Sequence, residues 1–203
     1  MPSPARPARP ALVGLAVAAA LALILGVVAR AAGASFSLVA VVIPVVVGLT
    51  VAGAMGRLAG NRGERRVEGT ERDAALALVP PPGAALLVLT REGFAGRALG
   101  IDVGVDGRPA VQLRSPRAAV LPVAPGTHAV GATIPNREAG PPGEPLRVEV
   151  APGDVAFLTV RFVTGMARNT AVVEPTQDPA RQRTTLASLP LVAPGPDWGA
   201  ASA

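Results

Sequence analysis

Residues 99–114, LGIDVGVDGRPAVQLR, predict two antiparallel strands joined by a tight turn. Apolar side chains at alternate positions lie on one face of a strand, as do Ile101, Val103 and Val105. The turn follows at Asp106-Gly107, a dipeptide that tolerates the positive φ angles of a two-residue hairpin loop. This hairpin indicates that the surrounding chain folds as β-structure.

Short apolar stretches separated by turn residues continue on both sides of the hairpin. We predict strands at 84–90, 99–105, 109–114, 118–123, 127–134, 145–151, 154–163 and 170–174. Turn signals recur about every 8 to 12 residues, which is typical of a sandwich or barrel. We therefore predict an all-β domain over residues 84–175, an antiparallel β-sandwich of about 7–8 strands.

The chain uses one proline-glycine corner twice within this domain. Ala124-Pro125-Gly126 and Ala151-Pro152-Gly153 each stand between two apolar strands. Proline pre-sets one turn dihedral and glycine supplies the positive one, as a type II turn requires. We therefore predict that each corner closes a hairpin.

Two long runs without charge precede the β-domain: residues 11–29 and 31–56 are separated only by Arg30. One helix over residues 11–56 would be about 69 Å long, against a hydrocarbon core of roughly 30 Å. We therefore predict a transmembrane α-helical hairpin over residues 11–56, with spans at 11–29 and 36–56. The predicted fold class is an N-terminal transmembrane α-helical hairpin plus an all-β domain.

Both predicted spans carry small residues at four-residue spacing, which allows helices to approach closely in lipid. The helix-packing residues are Gly14, Ala18, Ala22, Gly26, Gly48, Ala52 and Gly56. In the first span, chance spacing in an alanine-rich sequence explains the pattern equally well. The lipid bilayer is thus an expected partner, and the same faces would allow a homo-oligomer through the hairpin.

Arginines flank the two spans unevenly. Seven of them determine the predicted membrane topology: Arg6, Arg9, Arg30, Arg57, Arg62, Arg65 and Arg66. Only Arg30 lies between the spans, and basic residues in short flanks stay on the cytoplasmic side. We therefore predict a multi-pass protein of the bacterial inner membrane with both termini in the cytoplasm. The alternative is a secretory signal ending near Ala32-Gly33-Ala34, which would leave the second span and the same side for the β-domain.

Three segments complete the predicted domain organisation. Residues 1–10 form a basic N-terminal tail, residues 57–83 a charged linker ended by consecutive prolines, and residues 176–203 a C-terminal extension with a disordered end. The mixed charges of the linker favour a solvated segment over a patch for anionic lipid. Trp198 lies in a tail rich in proline and glycine and is assigned no role.

All 19 basic residues are arginine, and the formal net charge is +5. Together with abundant alanine, glycine and proline, this indicates a bacterial sequence of high GC content. Most of the excess positive charge falls before residue 74, so the β-domain is near neutral and no nucleic-acid partner is expected. The sequence has no cysteine, which excludes disulfides and cysteine chemistry.

Few residues of the β-domain carry chemistry, and neither a catalytic set nor a cofactor site is predicted. His128 is the only histidine of the sequence, so we assign it a structural or surface role. Asp102 and Asp106 lie on one face of a strand and its turn, where they could bind a cation. A solvent-facing strand residue and a turn former are the more common roles for such a pair. Arg91 and Glu92 are expected to form a local pair or to cap the turn.

The order of these motifs resembles a bacterial family of small sandwich domains of unknown function, similar to PEGA-type and carboxypeptidase-regulatory-like sandwiches. The resemblance covers residues 84–175 and rests on ALLVLTR at 85–91, the loop from Gly93 to Gly96, VGVDG at 103–107, LPVAPGTH at 121–128 and VAPGD at 150–154. It implies a domain of exported or envelope proteins. Thr90 stands where the family commonly has an aromatic residue, and the family's lipid-box cysteine is absent from this sequence.

We therefore predict a membrane-anchored β-sandwich protein that acts as a non-enzymatic binding or scaffolding module, with a protein or peptide as partner. One alternative, implied by the resemblance, is an envelope or periplasmic accessory domain in cell-wall or stress-related assembly. A second alternative is a small-ligand or cation binder at the loops near Gly93 and Asp106.

Overall fold

The computed structural model describes residues 16–17, 19–20, 22–24, 27, 30, 39–58, 61–135, 143–165, 168–196 and 198. The chain forms two compact units, Met1–Gly60 and Asn61–Ala203. Several residues for which the sequence predicted roles in helix packing or topology lie outside the described residues: Arg6, Arg9, Gly14, Ala18 and Gly26.

The first unit contains helix α1, Val39–Leu58, which has Pro44 inside it. Its side chains are described without interruption from Val42 to Met55, a stretch of about 21 Å at 1.5 Å per residue. Residues 16–30 are helical at the positions that the structure describes. Three of the predicted packing residues differ in exposure: Gly48 is buried, Ala52 half-buried and Ala22 exposed.

The predicted transmembrane hairpin is wrong. No helix among the described residues is long and apolar enough to cross a membrane, whose hydrocarbon core is about 30 Å thick. This finding overturns the spans predicted at 11–29 and 36–56, the multi-pass topology and the inner-membrane location. The physical reason is that an uncharged run measures only the apolar character of a segment. A crossing also requires one continuous helix of sufficient length.

The described part of the second unit is a sandwich of two four-stranded sheets. Its strands are β1 Ala85–Arg91, β2 Ile101–Val105, β3 Arg108–Leu113, β4 Arg117–Val123, β5 Gly126–Thr133, β6 Leu146–Val150, β7 Val155–Val163 and β8 Thr170–Pro175. Each boundary lies within two residues of one predicted from the sequence. One sheet has the order β4-β1-β7-β8 and the other the order β3-β2-β5-β6.

The sequence predicted a purely antiparallel sandwich, but β1 and β7 pair in parallel, with Leu86 opposite Val155. The cause lies in the two proline-glycine corners, which were predicted to close hairpins. They join strands of different sheets, β4 to β5 at Gly126 and β6 to β7 at Gly153. A strand that arrives from the opposite sheet need not run antiparallel to its new neighbour.

The hairpin predicted at Asp106-Gly107 does join β2 to β3. Asp106 has a φ of 53° and Gly107 a φ of 75°, the two positive angles of a type I′ turn. The register shifts between Val103 and Gly104, where β3 contains a bulge. A Cβ at position 104 would lie only 3.0 Å from Arg108 O, which explains the glycine there.

Two apolar clusters hold the second unit together. The larger one joins the facing sides of the two sheets and includes Leu87, Leu89, Ile101, Val103, Leu113, Leu121 and Val130. The smaller one lies on the other face of β1, where Leu86 and Val88 pack with Leu78, Leu186 and Leu191. Strand β1 is therefore buried on both faces, which accounts for its continuous apolar sequence.

Two helices of the second unit flank the strands in the chain: α2, Gly69–Ala77, and α3, Pro179–Ser188. The Arg72 guanidinium of α2 donates to Leu189 O at 3.0 Å and to Ala187 O at 2.7 Å. These bonds occupy carbonyl groups at the C-terminal end of α3. The segments before and after the strands are thus joined to each other.

The same segments extend the first sheet beyond β4. Val192 N donates to Ala118 O of β4 at 2.8 Å, and Val67 N donates to Leu191 O at 3.0 Å. Backbone around Val192 and then around Val67 therefore covers the β4 edge. An uncovered edge strand would offer unpaired amide and carbonyl groups to another chain.

Candidate functional site

A groove of about 570 Å³ lies beside β3, the terminal strand of the second sheet. Three stretches of the second unit line it: residues 62–65, residues 109–112 of β3 and residues 192–196. Ligand sites in proteins typically measure about 300 to 1,000 Å³, so this groove has the volume of a binding site.

Side-chain hydrogen bonds hold the wall at residues 62–65 in place. Asn61 Nδ2 donates to Ala98 O at 2.8 Å, and Asn61 Oδ1 accepts from Gly100 N at 2.6 Å. Arg62 N donates to Gln112 Oε1 at 2.6 Å. This wall is thus tied both to the loop between β1 and β2 and to strand β3.

Backbone hydrogen bonds hold the wall at residues 192–196. Ala193 N donates to Arg65 O at 2.9 Å, which joins this wall to the first one. Gly195 N donates to Ala110 O of β3 at 2.7 Å. The outer edge of β3 therefore accepts an amide from another segment already.

A buried carboxylate borders the groove, because the side chain of Glu64 is only 3% exposed. Its Oε1 accepts from Arg114 Nε at 2.7 Å. Its Oε2 forms an ion pair with Arg117 rather than a hydrogen bond of good geometry. One negative charge thus compensates two guanidinium groups. The sequence placed Glu64 in a solvated linker, since mixed charges alone do not show which carboxylate becomes buried.

Two exposed arginines of the groove each have a carboxylate partner. Arg62 Nη2 lies 2.6 Å from Asp102 Oδ1, which also accepts from Gln112 Nε2 at 2.8 Å. Arg65 donates two bonds of 2.6 and 2.8 Å to Glu71, and this hydrogen bonding lowers the pKa of Glu71. Arg62 and Arg65 were predicted to determine membrane topology, but the structure places both in the groove wall.

A second cluster joins His128 to the β2–β3 turn. His128 Nδ1 lies 2.7 Å from Asp106 Oδ2, and His128 Nε2 lies 2.7 Å from Ala124 O. A carbonyl oxygen only accepts, so Nε2 carries a proton, and the carboxylate favours a proton on Nδ1 as well. Burial acts to lower the pKa of His128, but the hydrogen bonds to Asp106 and Ala124 and the Asp106 charge outweigh it and raise that pKa.

The pKa of Asp106 shifts in the opposite direction. Burial acts to raise it, but hydrogen bonds from His128 and from Ala129 N, the latter at 2.8 Å, together with the His128 charge, lower it.

A cavity of about 160 Å³ beside His128 and Asp106 is also lined by Trp198. Trp198 is 6% exposed, and its Nε1 donates to Pro122 O at 3.2 Å. The structure thus buries a side chain to which the sequence assigned no role.

The two cation candidates belong to different clusters. Asp102 is bound by Arg62 and Gln112, whereas Asp106 is bound by His128. Within the described ranges, no group of three or more histidine, cysteine, aspartate or glutamate side chains is placed to hold a metal ion. The cation site therefore stays a prediction, and the described residues supply no third ligand for it.

Arg91, at the end of β1, points inward and is only 1% exposed. Its Nη1 donates to Leu99 O and to Leu113 O, each at 2.5 Å, and its Nη2 donates to Gly96 O at 2.7 Å. Burial lowers the pKa of Arg91 to about 10, which leaves the group charged at neutral pH. Arg91 therefore caps the loop between β1 and β2, one of the two roles that the sequence predicted.

Comparison with protein-family models and with curated proteins gives no match to this chain. The likeness to PEGA-type sandwiches stays a prediction. Function is therefore inferred from the groove and from the polar clusters around it.

Sequence reasoning missed the groove because two of its walls come from segments predicted as a linker and as an extension. A signal was present in both segments. Val67, Leu189, Leu191 and Val192 are apolar residues within otherwise polar or proline-rich stretches, and the structure buries all four. Such residues indicate that a segment packs against the neighbouring domain.

Proposed function

We propose that this protein is a non-enzymatic binding module that holds an extended peptide segment of a partner protein in the groove beside β3. The observation that carries the proposal is a groove of about 570 Å³ next to the terminal strand of a sheet. Such an edge can accept a peptide as an additional strand through main-chain hydrogen bonds. Ala110 O is occupied by the amide of Gly195, an intramolecular example of a backbone segment bonded to this edge.

The groove lining favours a peptide with apolar side chains. Pro109, Pro194 and Pro196 supply accessible apolar surface, while Arg62 and Arg65 supply polar groups at the rim. Apolar walls with a few fixed polar groups are typical of protein binding sites, because the apolar part gives affinity and the polar part gives orientation. Each arginine also pairs with a carboxylate, Arg62 with Asp102 and Arg65 with Glu71.

The non-enzymatic part of the proposal is supported by the state of His128. It is the only histidine of the sequence, and both of its ring nitrogens are engaged, with Asp106 and with Ala124 O. A general base needs a nitrogen that can take a proton from a substrate. His128 is thus suited to joining two turns of the fold rather than to proton transfer.

A display selection with random 12-residue peptides on the immobilised full-length chain tests this proposal. The decisive variant is Gly63→Trp, since a Cβ at position 63 meets no atom within 4 Å and the new side chain can occupy the groove. Gly53→Trp is the matched control, because a Cβ at position 53 also meets no atom within 4 Å but Gly53 lies in α1.

We expect selected peptides that bind the parent chain and Gly53→Trp equally and bind Gly63→Trp at least tenfold more weakly. That ratio corresponds to about 1.4 kcal/mol of binding free energy. If no peptide is enriched, or if the enriched peptides bind Gly63→Trp as tightly as the parent, the groove is not a peptide site.

A further inference from the structure

The rim of the groove beside β3 presents more positive than negative charge to solvent. The side chain of Arg62 is 60% exposed and that of its partner Asp102 is 21% exposed. The side chain of Arg65 is 64% exposed and that of its partner Glu71 is 51% exposed. In both pairs the cation is the more accessible member, so a molecule that approaches the groove encounters guanidinium groups more readily than carboxylates.

The ion pairs at and beside the groove do not balance in charge. Glu64, which borders the groove, is the shared partner of Arg114 and Arg117, so one carboxylate faces two cations. The two pairs at the rim are each neutral. These described residues therefore carry one excess positive charge, and such a surface favours a ligand of opposite charge.

Arg62 has more hydrogen-bond donors than its partner accepts. A guanidinium group carries five N–H donors, and Arg62 Nη2 lies 2.6 Å from a single oxygen, Asp102 Oδ1. That oxygen also accepts from Gln112 Nε2 at 2.8 Å, and Gln112 is 7% exposed. The Asp102 carboxylate is thus held at the surface of the sheet, and a second carboxylate can bind other donors of the same guanidinium group.

Arg65 and Glu71 form an ion pair in solvent. Exposed pairs contribute little to stability, so a carboxylate from another molecule can share or replace Glu71 as the partner of Arg65. The backbone is fixed at both arginines, since Arg62 N donates to Gln112 Oε1 at 2.6 Å and Arg65 O accepts from Ala193 N at 2.9 Å. The two cations therefore extend from a backbone that need not become ordered on binding.

We propose that the segment bound in this groove carries aspartate or glutamate side chains that pair with Arg62 and Arg65. The inference rests on the proposed function, because it uses the same groove, and it adds the charge that the partner segment must carry. The accessible prolines of the lining would contact apolar side chains next to the acidic ones: Pro109, Pro194 and Pro196.

A nucleic acid is a less suitable anion for this groove. Proteins that bind DNA commonly neutralise several phosphate groups, whereas two arginines line the groove among the described residues. Sites for single strands also stack bases on aromatic side chains, and no aromatic residue lines the groove in the part of the chain that the structure describes. A short acidic segment of a protein fits the small excess of charge better.

Isothermal titration calorimetry with the full-length chain tests this inference. The probes are the peptides that the display selection enriches, each compared with a version in which asparagine replaces aspartate and glutamine replaces glutamate. We expect acidic residues in the enriched peptides and about tenfold weaker binding of the amide versions, because hydrogen bonds between charged groups are the stronger ones. Raising the ionic strength from about 0.1 M to about 1 M shortens the Debye length from about 10 Å to about 3 Å, so it should weaken the acidic peptides more than the amide versions.

Arg62→Gln combined with Arg65→Gln removes both cations from the rim. Acidic and amide peptides should bind this double variant equally, since the acidic residue then has no arginine to pair with. Arg161→Gln is the matched control, because Arg161 is 59% exposed and pairs with Glu174 but lies on β7, outside the groove lining. It should keep the preference of the parent for acidic peptides. Urea unfolding should show little change in either protein, because the pairs that are removed are exposed.

Equal binding of acidic and amide peptides to the parent would overturn the inference and leave the proposed function intact. So would a preference for acidic peptides that persists in the double variant. Tighter binding of a single strand of about 12 thymidines than of the acidic peptides would overturn it in favour of a nucleic acid. If no peptide is enriched, the proposed function and this inference both fail. The comparison on the parent chain decides the question even if the double variant does not fold.

Discussion

Replacement of Glu64 by glutamine tests how the groove wall is joined to the sandwich. The substitution keeps the size of the side chain but removes the one negative charge between Arg114 and Arg117. Loss of one partner of a buried ion pair costs about 3–5 kcal/mol. Because Arg114 and Arg117 retain 33% and 17% exposure, water screens part of the effect, and we expect about 2–3 kcal/mol.

Urea unfolding monitored by Trp198 fluorescence measures this effect. Trp198 is the only tryptophan, the sequence has no tyrosine, and the side chain is buried in the second unit, so the signal reports on that unit. With a slope of about 2 kcal/mol per molar urea, the midpoint of Glu64→Gln should fall by about 1 to 1.5 M. The slope itself should not change.

Two further variants make the interpretation specific. Glu68→Gln removes an exposed carboxylate of the same segment that makes no cap hydrogen bond, and should change the free energy of unfolding by less than about 0.5 kcal/mol. Adding Arg117→Gln to Glu64→Gln should recover part of the loss, because one of the two facing cations is removed. An effect of Glu64→Gln no larger than that of Glu68→Gln would refute the buried ion pair as the attachment of this wall.

Two other predictions concern the polar clusters. The raised pKa of His128 means that the bond to Asp106 contributes fully below the ordinary histidine value of 6.5 and is lost as the pH rises through the folded-state pKa. The lowered pKa of Asp106 means that it contributes fully above 3.8 and is lost as the pH falls through the folded-state pKa. The stability difference between the parent and His128→Gln, measured by urea unfolding, should therefore be largest from about pH 4 to 6.5, and a difference independent of pH would contradict the ion pair. Arg91→Met leaves two loop carbonyls and the Leu113 carbonyl of β3 without their donor, so it should lower the free energy of unfolding by about 3 kcal/mol and speed trypsin cleavage after Arg97. Glu92→Gln is the control, and unchanged cleavage in Arg91→Met, read by mass spectrometry, would show that Arg91 does not hold the loop.

The β-strands could be predicted from local patterns because alternation and turn chemistry depend on neighbouring residues. Asp106-Gly107 illustrates this, since both positive φ angles are properties of the dipeptide itself. The corners at Gly126 and Gly153 show the limit of such patterns. Local sequence predicts that the chain turns there, but whether the next strand joins the same sheet depends on packing across the whole core.

The candidate site was less accessible to prediction because its parts are distant in the chain. Glu64 meets Arg114 and Arg117 only after the segment before the strands has folded onto β3 and β4. Long-range ion pairs leave no periodic signal in the sequence. The apolar runs before residue 57 caused the opposite error, because their hydropathy was taken to imply crossing helices that the described residues do not contain.

The folded unit that contains the β-strands therefore includes the segments before and after them. Leu86 and Val88 of β1 are 5% and 0% exposed because residues outside the strands cover them. Exposure of two such side chains would cost about 1.5–3 kcal/mol each, a large part of the usual stability of a domain. The same outer segments close the β4 edge and form two walls of the groove. Folding of the sandwich and formation of the proposed binding site are therefore coupled, since any change that detaches residues 62–67 or 190–196 removes both the covered edge and the groove.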